Sequence, residues 1–242
     1  MDVTNPEERF MKHYLSAIIT AFSIVACVTA TNPELVEKID HGFSRSNTNV
    51  YTSAKPFKHP QPYQVGQYIV TGVTQGSEKS VSKMALVGRE EGGWIIETHS
   101  ITPSSESISQ MLVKGMESVY NTGTIDQLEI VWVKIQSNGE HIQTLQGPLL
   151  NMTKGLYKQS LEGLESEATF TPQAGPIRVP AGLFENTAKA DAEVSFMGKS
   201  YQSTSWYHPA VPINGMVKSV STSDGTVMEL LDFGLSGAKR SF

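Results

Sequence analysis

The chain has 242 residues, 39% hydrophobic and 18% charged, with a formal net charge of −5. That size and balance suit one large β-rich domain with its own core and exclude wholesale disorder, which needs low hydrophobicity and high net charge. An acidic chain lacks the basic excess that displaces counterions from nucleic acid, and one cysteine excludes an intramolecular disulfide.

The first element in chain order is an apolar run, Tyr14 to Ala26 (YLSAIITAFSIVA), free of charge and preceded by Lys12 and His13. A basic start, a short apolar centre and a small-residue exit define a secretory signal. As a helix, its 13 residues reach roughly 20 Å, short of the ~30 Å hydrocarbon core. The run ends Ile24-Val25-Ala26-Cys27. This resembles the bacterial lipobox, and the resemblance implies cleavage before Cys27 and acylation of its thiol and new amine. Val28 rather than Asp after the cysteine implies, in a Gram-negative cell, export to the outer membrane, facing the periplasm. Val28-Thr29-Ala30 also satisfies the small-x-small rule of ordinary signal peptidase, which would release a chain starting at Thr31. The signal spans 1–26, with Met11 an alternative start.

Residues 27–62 read as a lipidated N-terminus and tether. Asn32-Pro33-Glu34 has a capping residue, Pro at the first helical position and an acid in the first turn. Leu35, Val36 and Ile39 supply an apolar face, and Gly42 is expected to end the helix. A polar, Pro-rich linker then holds the domain, 63–242, off the membrane.

From Tyr63 three segments alternate with period two around Gly-marked turns, predicting a meander. In 104–120, Ile108, Met111, Leu112, Met116 and Val119 fall at helical spacing, predicting an amphipathic helix. Two strands follow across Ser137-Asn138-Gly139-Glu140, a hairpin signal. Pro148 to Gly163 is helical in spacing but weakened by Gly155 and Gly163. Four or five more strands complete the chain. The expected fold is mainly β (α+β): a strongly curved antiparallel sheet or half-open barrel of about ten strands, with one or two helices covering the mouth.

Tyr63-x-Val65-Gly66-Gln67-Tyr68, Val87-Gly88-x-Glu90, Gly93-Trp94-x-x-Glu97 and Val179-Pro180-Ala181-Gly182-x-Phe184 resemble motifs of bacterial envelope lipoproteins. Trp206, Val211-Pro212-x-x-Gly215-x-Val217-Lys218 and Glu229-Leu230-x-x-Phe233-Gly234 extend the likeness. The pattern is similar to the lipoprotein-carrier (LolA/LolB-like) half-barrel superfamily. That resemblance implies an apolar hollow covered by helices, and in some members a lipid cargo.

No catalytic constellation stands out. The six histidines show no metal-ligand spacing, and no phosphate loop or dinucleotide fingerprint occurs. Gly234-Leu235-Ser236-Gly237-Ala238 lacks the second glycine of a nucleophile elbow. Neither catalytic residues, metal ligands nor cofactor are therefore expected. Methionine adapts to irregular apolar partners, so Met111, Leu112 and Met116 on the covering helix are the candidate ligand-binding residues, with core filling the competing reading. The expected function is a non-enzymatic, membrane-anchored envelope lipoprotein holding a lipid or acyl chain in the half-barrel. The alternative is a scaffold that meets an envelope protein partner and fills its barrel with its own side chains.

Overall fold

The structure is a computed structural model that describes residues 30–55, 57–122, 126–162, 168–196 and 199–242. The signal run and Cys27 lie outside the described residues.

Helix α1 (Pro33–Ser44) starts where the sequence places it, with Asn32 Oδ1 accepting a hydrogen bond from Glu34 N at 3.0 Å. It runs two residues past Gly42. Leu35 and Ile39, one turn apart, are buried, while Lys38 and His41 fall on another stripe. Strand β1 (Val50–Tyr51) follows, and Phe57 is only 1% exposed. The segment expected as a tether is therefore part of the domain. Its apolar residues, spaced between prolines, anchor it to the fold, because burying a Leu, Ile or Phe stabilises by about 1.5–3 kcal/mol each.

The meander over 63–101 is present as β2 (Tyr68–Gln75), β3 (Glu78–Glu90) and β4 (Gly93–Ile101). Residues 106–114 are not helical. They form β5 (Glu106–Lys114), in register with β4. Here Met111 and Val113 join one core cluster and Leu112 another, so both faces of the strand are covered. A strand buried on both faces loses its polar alternation and carries apolar residues at i, i+3 and i+4, which imitates a helix. Gly115 (φ 79°) turns the chain into the short helix α2 (Met116–Thr122); a Cβ there would strike the Gln127 backbone. Only the end of the expected 104–120 helix is helical.

Strand β6 (Glu129–Ser137) and β7 (Gln143–Thr144) form the expected hairpin, with Asn138 (φ 48°) and Gly139 (φ 73°) in the left-handed conformation its turn needs. Helix α3 (Gly147–Glu162) fills the ambiguous stretch. The remaining strands are β8 (Ala168–Thr171), β9 (Ile177–Val179), β10 (Gly182–Phe184), β11 (Ala188–Phe196), β12 (Lys199–Tyr207), β13 (Met216–Ser221) and β14 (Val227–Gly234).

Eleven strands make one antiparallel sheet in the order β7-β6-β5-β4-β3-β2-β14-β13-β12-β11-β8. Two meanders are thus joined where β2 pairs with β14, and the end strands β7 and β8 do not close the ring. Side chains from strands as distant as β6 (Ile130, Val133) and β13 (Val217) share one core cluster, so the sheet wraps around it as a half-open barrel. The small sheet β1-β10-β9 lies on that inner face and contributes Val179 and Phe184 to the cluster. Helix α1 lies on the opposite, outer face against Val81 and Leu231, not across the mouth. Its close approach is why Gly42 and Gly72 carry no side chain: a Cβ at Gly72 would sit 2.5 Å from the Phe43 ring.

Candidate functional site

The hollow of the half-barrel is occupied by the protein itself. Phe184, fully buried, stacks on Tyr51 with ring centroids 4.7 Å apart. Val179, Ala181, Val211 and Ile213 pack around it against Leu86, Ile96 and Met111. Farther along the strands the inner face changes character. Thr71, Ser82, Ser100, Ser107 and Ser137 stand opposite one another on five successive strands. Ser203 and Ser205 likewise face Ser221 and Ser219. Small hydroxyl side chains offer an acyl chain little apolar area, and buried hydroxyls need partners.

The sequence-predicted ligand residues follow this division. Met111 (8% exposed) and Met116 (6%) are part of the inner core, and Leu112 (0%) points to the outer face. They neither share one surface nor form a lid. Cys27 lies outside the described residues.

The outer face carries a groove of about 450 Å³ between α1, the strands β2, β3, β4 and β14, and residues 236–237. Its floor is apolar, formed by Val70, Val81, Ile101 and Leu231, with Tyr68 at one side. Strand register explains the floor: Val70 pairs with Lys83 and Val81 with Ile101, so all four project to one side. Helix spacing explains the rim. Lys38 and His41, at i and i+3 on α1, line the groove together with Arg45, the extended residue that follows the helix.

The charges differ in how they are held. Arg45 reaches Asp232 Oδ2 at 3.2 Å, and Tyr68 donates its hydroxyl to the same oxygen at 3.5 Å. Burial, and then the Asp232 charge, raise the Tyr68 pKa above its usual value, so the phenol stays protonated. Lys38 binds Glu106 Oε2 at 2.7 Å, and this hydrogen bond, joined by one from His99, holds the Glu106 carboxyl below the usual range. Lys83 differs: its ammonium sits 4.8 Å from the Tyr68 ring centroid and makes no ion pair among the described residues.

Sequence reasoning missed this site. A signal was present: Lys83 interrupts the outward-facing series Val81, Ala85, Val87, and Asp232 stands within Glu229-Leu230-Leu231-Asp232-Phe233. A charge on an otherwise apolar strand face marks a place where that face meets solvent or a ligand.

A second concavity, about 370 Å³, lies at the β6–β7 turn, where Gly139, Glu140, His141 and Gln143 line it. Among the described residues no three His, Cys, Asp or Glu side chains converge as metal ligands, and no helix is long and apolar enough to cross a membrane. The sequence matches no protein-family model and no curated protein.

Proposed function

We propose that this protein is a non-enzymatic, lipid-anchored protein of the cell envelope, facing the periplasm from the outer membrane. We place its apolar ligand, a lipid or acyl chain, in the outer-face groove and not in the half-barrel hollow. The groove carries this reading: an apolar floor with a few convergent polar groups, in the 300–1,000 Å³ range of ligand sites. The lipobox-like Ile24-Val25-Ala26-Cys27 supports the anchor, since three acyl chains exceed the two needed for stable attachment. The plugged, hydroxyl-lined hollow weighs against a lipid cargo inside.

One pair of measurements tests both halves. Expressed in a Gram-negative host, the membrane-extracted protein is expected to begin at Cys27 with three acyl chains by intact mass. A mature chain starting at Thr31, or one retaining residues 1–26, overturns the anchor. For the ligand, the full chain carrying Cys27→Ser is titrated with dodecanol against a fluorescent alkyl reporter. Val70→Glu sets a carboxylate on the groove floor and is expected to weaken uptake at least tenfold. Uptake indifferent to Val70→Glu removes the groove as the site.

The exposure of Ile142, Leu149 and Met152, all within one stretch flanking the outer edge of β6, favours a second reading: a scaffold with a self-filled barrel. A chain that takes up no alkyl probe moves the weight to that reading.

A further inference from the structure

We infer that the groove takes a single-chain amphiphile with an anionic head, a free fatty carboxylate, and that Lys83 is the residue that binds the head; this rests on the groove being the ligand site. The argument begins with charge. The whole chain carries −5, yet the groove lining holds Lys38, Arg45 and Lys83 against one acid, Asp232, with His41 beside them. Two of these cations are already engaged, Arg45 by Asp232 and Lys38 by Glu106. Among the described residues, Lys83 is held only over the Tyr68 ring, an arrangement worth about 0.5–1 kcal/mol at exposed sites. Such a contact is easily exchanged for a charge-assisted hydrogen bond to a carboxylate.

The position of Lys83 fits that role. It lies two residues from Val81 on the same face of β3 and is paired with Val70 on β2, so its stem borders the apolar floor while its ammonium remains at the rim. A ligand that lays a chain along Val70, Val81, Ile101 and Leu231 brings its head to Lys83. The volume of about 450 Å³ suits one alkyl chain rather than a two-chain phospholipid.

The test compares two probes of equal chain length, dodecanoate and dodecanol, on the full chain carrying Cys27→Ser, with folding of every variant checked by its thermal transition. Dodecanoate is expected to bind one per chain, at least tenfold more tightly than dodecanol. Lys83→Met keeps an unbranched stem, and is expected to remove that tenfold preference. Equal affinity for the two probes, or a preference that survives Lys83→Met, overturns the assignment of the head site while leaving the groove as a chain site. Failure of both probes to bind overturns the groove itself. Preferential uptake of a two-chain anionic phospholipid over dodecanoate also overturns the single-chain assignment.

Discussion

At the scale of single residues, His208 shows how the plug in the hollow is held. The ring is fully buried, edge-on to Phe184 with centroids 5.3 Å apart, and Nδ1 accepts a hydrogen bond from Ala210 N at 3.1 Å. The proton of the neutral ring is therefore on Nε2, which is buried without a hydrogen-bond partner among the described residues. Burial pulls the His208 pKa down to about 4 from 6.5. The unfolded chain thus binds a proton more readily than the folded one. The stability this provides is complete above pH 6.5 and declines as pH falls from 6.5 toward 4. Urea midpoints are expected to drop across that window. His208→Asn, which keeps an acceptor for Ala210 N, is expected to be less stable at pH 7 but flatter between pH 6.5 and 5. That upper part of the window lies above the range in which the depressed carboxyls of Glu106, Asp191 and Asp224 titrate. An equally steep decline in the variant assigns the acid sensitivity elsewhere.

At the scale of elements, the C-terminal segment acts as a strap across the outer face. Ala238 N donates to Gly66 O at 2.9 Å, and Ala238 packs on the cluster of Ala85, Val87, Ile95 and Leu112. The strap is fastened at Glu97, only 7% exposed, which accepts from Ser241 Oγ (2.7 Å), Ser241 N (2.9 Å) and Gln110 Nε2 (2.7 Å). Glu97→Ala strands these donors and is expected to cost about 1–3 kcal/mol, read from the urea midpoint. A loss below ~0.5 kcal/mol means the strap is held by packing alone. Glu97 also illustrates what the sequence discloses. Turn residues and alternation revealed the meander, the Asn138-Gly139 hairpin and the Asn32 cap, because these depend on neighbours in the chain. The strand at 106–114 was hidden because its second face is covered by residues more than a hundred positions away: Arg240 and Phe242 both bond Gln110. The groove was hidden for the same reason. Its rim comes from α1 and its floor from strands of both meanders, and only their docking brings Lys38 and Arg45 beside Val70 and Leu231.

At the scale of the whole molecule, the docking of α1 would decide how the domain meets a membrane under the proposed acylation of Cys27. Five residues separate Cys27 from Pro33, and even fully extended the six steps between them reach only about 20 Å. With α1 fixed to the outer face rather than leading a free linker, an acylated Cys27 holds that face, and the groove, toward the bilayer. Of the basic residues Lys38, His41 and Arg45 on the same face, Lys38 and Arg45 are held by Glu106 and Asp232, so the orientation rests on the short tether rather than on attraction to anionic lipid. The inner face, with its small sheet, then points away. Orientation is measurable on the acylated protein in vesicles bearing a head-group nitroxide, because acylation consumes the Cys27 thiol and leaves one introduced cysteine to carry a fluorophore. Lys79→Cys places the label on the outer face beside α1, at the cost of one exposed pair with Asp40 (3.6 Å). Arg178→Cys places it on the exposed side of β9, on the small sheet. Stronger quenching at position 79 than at 178 is expected. Equal or reversed quenching means the domain does not present its groove to the bilayer, and a fatty carboxylate then has to arrive through solvent.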